Sequence, residues 1–257
     1  MSDRSGMPIS FQNLKDSSRI WTYPVAVLFL LFLFHLTGCA TYYPKDFVDF
    51  SKFQDNPLPH DAAPYLNSGS QTLLTPRIKA VALQLSAKTR RERLYNAVQY
   101  IWTNMRYDRW LNSQMFTRTA DQLFQDKVLG GCSDFALAKV TLFRALGIPA
   151  RLIVTANVDW MLRYRKDPLF LTTGHVFIEV YLEDKWYLVD STYRFLFSDY
   201  DASLKSYPRR EYLCVKGIDY WEMGFKEVAT FIEVAGKLAT GFQEDMYEDP
   251  DYPQQKI

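Results

Sequence analysis

An α+β domain, with helices first and an antiparallel sheet after them, is the fold class this sequence predicts. Three stretches predict it. Leu94, Val98, Ile101 and Met105 form an apolar stripe at three- and four-residue steps within Arg90–Arg106, which is helical spacing. From Phe135 to Leu146 only Lys139, Thr141 and Arg144 are polar, so the helix expected there is apolar around most of its circumference and belongs in the middle of the domain. From His175 to Leu182 the residues alternate as in a strand. Val176, Ile178, Val180 and Leu182 take one face, and His175, Phe177, Glu179 and Tyr181 the other.

The remaining elements follow in chain order. Thr41–Thr75 is rich in Pro, Asp, Ser and Tyr without periodicity and reads as a linker and extended arm on the domain surface. Pro76–Ala87 has helical spacing, and Thr119 can cap a short helix running to Gln125 with Leu123 and Phe124 inward. The buried helix stops at Gly147, with Pro149 just beyond, and Ala150–Ala156 is a β-rich run. Asn157–Thr173 is polar, aromatic and charged, and reads as an insertion bordering a cleft near His175. Within it Trp160, Arg163 and Tyr164 are candidate substrate-selecting side chains, although an aromatic loop can equally pack on the domain. Trp186–Val189 is expected to pair back on the alternating strand through the turn around Glu183-Asp184-Lys185, and Tyr212–Lys216 to add a strand. Phe225–Leu238 reads as an amphipathic helix, which closes a domain over residues 76–242, and Gln243–Ile257, acidic and proline-bearing, as a loose tail.

Composition narrows the function classes. With 257 residues, 48% hydrophobic and 16% aromatic, the chain has room for a packed core, which excludes global disorder. A formal net charge of +1 and the lack of a basic run argue against nucleic acid as a partner. The N-terminus carries a targeting signal. Trp21–Leu36 holds no Asp, Glu, Lys or Arg, and Arg4, Lys15 and Arg19 stand upstream of it. At about 16 residues it falls short of the roughly 20 a membrane-spanning helix needs and fits the core of a signal peptide. It ends in Leu36-Thr37-Gly38-Cys39-Ala40, which resembles the bacterial lipobox. That resemblance implies a signal peptide over residues 1–38, lipid on Cys39 and a tether over residues 39–75, with an uncleaved membrane anchor as the alternative. Ala40 after the lipid-bearing cysteine implies an extracytoplasmic, lipid-anchored protein on the outer membrane, facing the periplasm.

Three polar residues stand in informative places: Cys132 opens the buried helix, His175 begins the alternating strand, and Asp190 ends the next. A free thiol, with a pKa of about 8.5, is a poor nucleophile until ionised, and a helix N-terminus and a nearby imidazolium both stabilise the thiolate. Gly130 and Gly131 let the backbone approach closely, and N–H groups at that helix end, around Gly131 and Ser133, could hold a developing oxyanion. Of the three histidines, His35 lies in the signal segment and His60 in the arm, so an imidazole base would be His175. If Glu183-Asp184 forms a two-residue turn, Asp190 falls opposite Phe177 and one diagonal step from His175 on the same face. A three-residue turn without a bulge would send it to the other face. Glu179, on the His175 face, is the substitute carboxylate, and Ser133 and Asp134 read as helix caps. The rival readings are a buried, inert Cys132, or a bridge from Cys132 to Cys214, although Cys214 sits in an apolar run and reads as core.

In order and context, GGCSDFALAKVTLFRALGIPARLIV (130–154) and GHVFIEVYLEDKWYLVDST (174–192) resemble the transglutaminase-like superfamily of papain-type cysteine enzymes, over about residues 80–195. After the histidine, where many members carry Ala-Trp, this chain has Val176-Phe177. The resemblance implies a papain/transglutaminase-like core, a central buried helix on an antiparallel sheet, with Cys132, His175 and Asp190 as its triad. It also implies acyl transfer through a thioester, to water in a protease or amidase or to an amine in a transglutaminase. Hydrolysis is the expectation, because water is always present and no feature identifies an amine-acceptor site. The expected substrate is a protein or peptide of the cell envelope, with no cofactor and no metal, since one histidine and one reachable cysteine make a poor ligand set. A non-catalytic binding or scaffolding domain of the same fold is the alternative.

Overall fold

Helices form where caps and stripes predict them in the computed structural model, which describes residues 48–168 and 172–257; the apolar segment, the lipobox and Cys39 lie outside the described residues. Helix α1 (Pro76–Gln84) is capped by Thr75, and α2 (Arg90–Asn104) by Thr89, with Leu94, Val98 and Ile101 buried. Helix α3 (Ala120–Asp126) starts with a Thr119–Gln122 capping box. Strands β1 (Arg106–Tyr107) and β2 (Val128–Leu129) pair in parallel. They fix the chain leaving α2 beside the segment that enters α4 (Cys132–Ala145).

Helix α4 is the buried element. From Phe135 onward its three polar side chains survive burial because each is hydrogen-bonded, which removes most of the desolvation cost. Thr141 Oγ1 donates to Leu137 O (2.7 Å), Arg144 to Ala150 O and Ile218 O (2.7 and 2.8 Å), and Lys139 Nζ to Ser191 O (2.7 Å).

The sheet is seven-stranded and antiparallel between all neighbours, in the order β7-β8-β3-β4-β5-β6-β9. Its strands are β3 (Ala150–Asn157), β4 (Val176–Leu182), β5 (Lys185–Asp190), β6 (Phe195–Phe197), β7 (Ser206–Tyr207), β8 (Glu211–Gly217) and β9 (Gln254–Lys256). The core built around α4 takes Ile178, Val180 and Val189 from the sheet. A second core, with Phe177, Leu188, Tyr200, Tyr207 and Tyr252, takes the alternate positions. Leu182 pairs with Lys185, so the β4–β5 turn is Glu183-Asp184, with both residues at positive φ (42° and 68°) as a type I′ turn requires. Asp190 therefore pairs with Phe177, the register that the two-residue turn predicts.

Several segments differ from the sequence expectation. The Asn157–Thr173 insertion is not all loop. Asn157 Oδ1 accepts from Trp160 N (3.2 Å) and starts α5 (Val158–Tyr164), which buries Val158, Trp160 and Met161. Helix α6 spans Val228–Gly241, beginning later than Phe225, which is buried ahead of it. Residues 243–257 are not a loose tail. Strand β9 pairs with β6, Ile257 N donates to Arg194 O (2.8 Å), and Tyr252 and Ile257 are buried. The reason is the sheet edge: β6 would otherwise present unpaired N–H and C=O groups, and the tail covers them. The described part of the arm lies on the domain. Asp55 accepts from Arg90 N (2.7 Å), and buried Gln71 donates to Phe116 O and Arg118 O (2.8 and 3.0 Å).

Candidate active site

The start of α4 is held from below and behind. Asp134 N and Phe135 N both donate to Gly131 O (3.1 Å each), so the earlier N–H groups, of Cys132 and Ser133, have no acceptor within the helix. Gly130 is pressed against the next loop: a Cβ there would lie 2.6 Å from Leu111 C, leaving no room for a side chain. Asp134 Oδ2 accepts from Gly130 N (2.7 Å) and pairs with Arg118, which also reaches Val128 O (3.1 Å). Asp134 is thus the side chain that secures the double-glycine turn. Ser133 is buried, and its carbonyl accepts from Tyr220 OH (2.9 Å).

His175 is positioned by β3. Thr155 N donates to His175 O (3.0 Å), and His175 N to Thr155 Oγ1 (3.3 Å). The imidazole stands edge-on to Phe177, with ring centroids 4.7 Å apart. Its Nε2 lies 3.4 Å from Asp190 Oδ1, and the ring lines the same cleft as Cys132. Burial disfavours the imidazolium, but hydrogen bonds and charge attraction from Asp190 and Cys132 outweigh it and raise His175 to about 10.

Asp190 is fully buried, and its Oδ1 accepts from Thr192 N and Tyr193 N (2.8 Å each), which closes the turn after β5. Arg209 Nη2 lies 2.8 Å from Oδ2, yet Oδ2 receives no aligned hydrogen bond, so this contact acts through charge. Burial pushes the Asp190 carboxyl up, but His175, the Tyr193 N–H and Arg209 together bring it down to about 2.

Cys132 and His175 open into a cleft of about 400 Å³. Val154, Val176, Met115, Phe116, Val228 and Phe231 line it with apolar side chains. Asn112, Thr172 and Thr173 supply neutral polar groups, and among the described residues no charged side chain other than His175 lines it. Asn112 lies over Gly131, its Oδ1 2.5 Å from where a Cβ would stand. A larger hollow of about 580 Å³, beside Leu83 and Gly147 at the other end of α4, holds no cysteine or histidine.

The other sequence candidates fall elsewhere. Trp160, Arg163 and Tyr164 do not line the cleft; Trp160 is 1% exposed inside α5, and the Tyr164 ring lies tilted against it (centroids 4.9 Å) and covers Gly236. Among its described residues, the insertion meets the cleft through Thr172 and Thr173 at its end. Glu179 is no substitute for Asp190. It is fully buried and held by Arg151, by Lys216 (2.6 Å) and by Tyr200 OH. Cys132 and Cys214 are both free, and burial, with the charge of Glu211, pushes the Cys214 thiol up to about 12. Sequence reasoning missed Arg209, Tyr220 and Lys139. Only Lys139 carried a signal, as a cation in an otherwise apolar helix.

Comparison with known proteins fits this geometry. No curated protein matches the chain. Residues 79–191 match the family model of the transglutaminase-like superfamily. They form a transglutaminase-like domain. Similar solved structures include a candidate cysteine protease from Cytophaga hutchinsonii (18% identity, TM-score 0.49, 68% of this chain and 54% of that one). A TGase (19%, 0.33, 45% and 31%) and a candidate protease from Parabacteroides distasonis (12%, 0.37, 59% and 27%) are others. The chain thus spans 54% of the first structure's length and less than a third of the other two. The domain match runs from within α1 through β5 and includes Cys132, His175 and Asp190.

Proposed function

We propose that the transglutaminase-like domain is a cysteine hydrolase, a protease or amidase working through Cys132, His175 and Asp190. The observation that carries this reading is that Cys132 and His175 line one cleft, with His175 Nε2 3.4 Å from the buried Asp190 carboxylate. The Cys132 sulfur, as thiolate, attacks the scissile carbonyl carbon and its π electrons move to oxygen. The Cys132 and Ser133 N–H groups at the helix end, which have no acceptor within the helix, are the donors this reading assigns to that oxyanion. The oxyanion re-forms the carbonyl, the C–N bond breaks, and the leaving amine takes the proton held by His175, leaving a thioester. Water then gives a proton to His175 as its oxygen attacks the thioester. The C–S bond breaks, and the acid product and thiolate separate.

The cleft also supports a substrate class. A charged group on the acyl side of the scissile bond would lose water there with no counter-charge to meet it, whereas an apolar side chain fits Val154, Val176 and Phe231. Residues Leu36–Cys39 support a lipid tether on Cys39, and Ala40 after it an outer-membrane location facing the periplasm, with envelope proteins or peptides as substrates. Among the described residues no helix is long and apolar enough to cross a membrane.

The test is a set of fluorogenic peptide amides with Leu, Phe, Asp or Lys on the acyl side, assayed with and without added methylamine. Hydrolysis of Leu and Phe substrates at least about tenfold faster than Asp or Lys is expected, because one uncompensated charge costs more than about 1.4 kcal/mol. Methylamide as the main product would replace hydrolysis with transglutaminase-type transfer. No turnover of any peptide, with Cys132 unreactive, would leave the non-catalytic binding domain.

A further inference from the structure

Helix α4 contains a feature that packing alone does not explain. Lys139 is 2% exposed in the centre of the domain, where its ammonium is desolvated. It lies seven residues beyond Cys132, two turns along the same helix face. Its Nζ donates to Ser191 O (2.7 Å), and among the described residues it forms no salt bridge.

Ser191 is the residue after Asp190, inside the turn whose N–H groups at Thr192 and Tyr193 bind Asp190 Oδ1. The side chain of Ser191 contributes nothing to that turn, since its buried Oγ has no hydrogen-bond partner. The turn is therefore tied to the helix through one carbonyl and one amine. We propose that Lys139 is a positioning residue for Asp190: by holding the Ser191 carbonyl it keeps the carboxylate at His175 while that ring gains and loses its proton.

The link runs down one helix, from the nucleophile at its start to the support of the third member of the relay two turns later. It needs only an N–H, which the amine offers in either protonation state. This matters because burial drags Lys139 down to about 7, with Asp190 opposing the fall and Arg194 adding to it. The charged groups around the relay are Cys132, Asp190, Glu211 and Arg209 near His175, and Asp190 and Arg194 near Lys139.

The inference rests on the cysteine-hydrolase reading, but its first test needs no substrate. The full-length protein and Lys139→Met, which keeps the length of the side chain and loses the donor, are compared by NMR titration of the His175 imidazole. Lys139→Arg, which keeps N–H donors, is the second variant, and thermal unfolding checks that each folds. If Lys139 positions Asp190, the imidazole of Lys139→Met titrates at lower pH than wild type, because its contact with the carboxylate loosens, and Lys139→Arg recovers part of the shift. If Lys139 acts only as a nearby charge, removing it raises the His175 titration, and that result overturns the proposal. An unchanged titration overturns it as well. With a working peptide substrate, kcat of Lys139→Met falls about 10- to 100-fold while KM stays within about twofold, since no substrate group touches position 139. Failure to find any substrate would count against the hydrolase reading and leave the titration result standing.

Discussion

Replacing Cys132 with alanine is expected to abolish acyl transfer, by a factor on the order of 10⁴–10⁶ in kcat, with the fold intact. No other side chain can form the thioester. Among the described residues the other cysteine is Cys214, whose thiol burial holds at about 12. The structural cost is small, because Cys132 is half-buried at the first position of α4 and the helix start is secured by Asp134 and Gly130. Cys132→Ala should therefore unfold within a few degrees of wild type while turnover vanishes. Residual turnover above about 1% would move the chemistry away from this sulfur.

Asp190→Ala carries the second-largest expected effect, and it acts on stability and activity together. The side chain accepts from Thr192 N and Tyr193 N and faces both His175 and Arg209. Removing it leaves two turn amides and a buried imidazole without their acceptor, at about 1–3 kcal/mol for each buried group left unsatisfied. Activity should fall about 10²–10⁴-fold, as the base loses its orientation and the carboxylate that favours its charged form. Asp190→Asn, which keeps an acceptor but no charge, should lie between the variant and wild type.

The pH dependence of this stabilisation has a definite sign. Asp190 is lowered from 3.8 to about 2, so its contribution is present above pH 4 and is lost as pH falls through about 2. His175 is raised from 6.5 to about 10, so its contribution is full below pH 6.5 and is lost as pH rises through about 10. The pair shares one interaction, and both conditions hold between about pH 4 and 6.5. Urea unfolding of wild type and Asp190→Ala across pH should show the widest gap in that window, narrowing toward both ends. A gap that widens above pH 9 would contradict the assignment.

The fold was legible wherever local signals and tertiary packing agreed. Thr119 is a cap that the structure uses, and the His175–Leu182 alternation splits between the two cores of the sheet. The β4–β5 register was legible as a conditional: once Glu183-Asp184 is the turn, Asp190 must face Phe177. Helix α5 was hidden because it is seven residues long and its buried residues Val158, Trp160 and Met161 are followed at once by Arg163, Arg165 and Lys166, which read as loop. Strand β9 had no pattern of its own, since Gln254-Gln255-Lys256 becomes a strand only because β6 offers an open edge.

The same division holds at the site. Cys132, His175 and Asp190 each sit at the boundary of an element, where their order along the chain was informative. Arg209 arrives from the turn between β7 and β8, at positive φ (70°), and Tyr220 from a loop beyond β8. Neither is near the relay in sequence, so only the folded sheet reveals them. Lys139 was visible as an oddity in an apolar helix, but its partner, a backbone carbonyl on another element, was not.

The central claim is that His175 activates Cys132, and iodoacetamide alkylation at pH 6.5 tests it most directly. The full chain carrying Cys39→Ser would be treated with and without His175→Ala, and Cys132 and Cys214 resolved by peptide mass spectrometry. At that pH an unassisted thiol is about 99% protonated and reacts slowly. The expected result is that Cys132 is alkylated at least about tenfold faster than Cys214, and that His175→Ala slows it about tenfold or more. If Cys132 is no faster than Cys214, or keeps its rate without His175, the sulfur and the imidazole are not a working pair and the hydrolase reading falls.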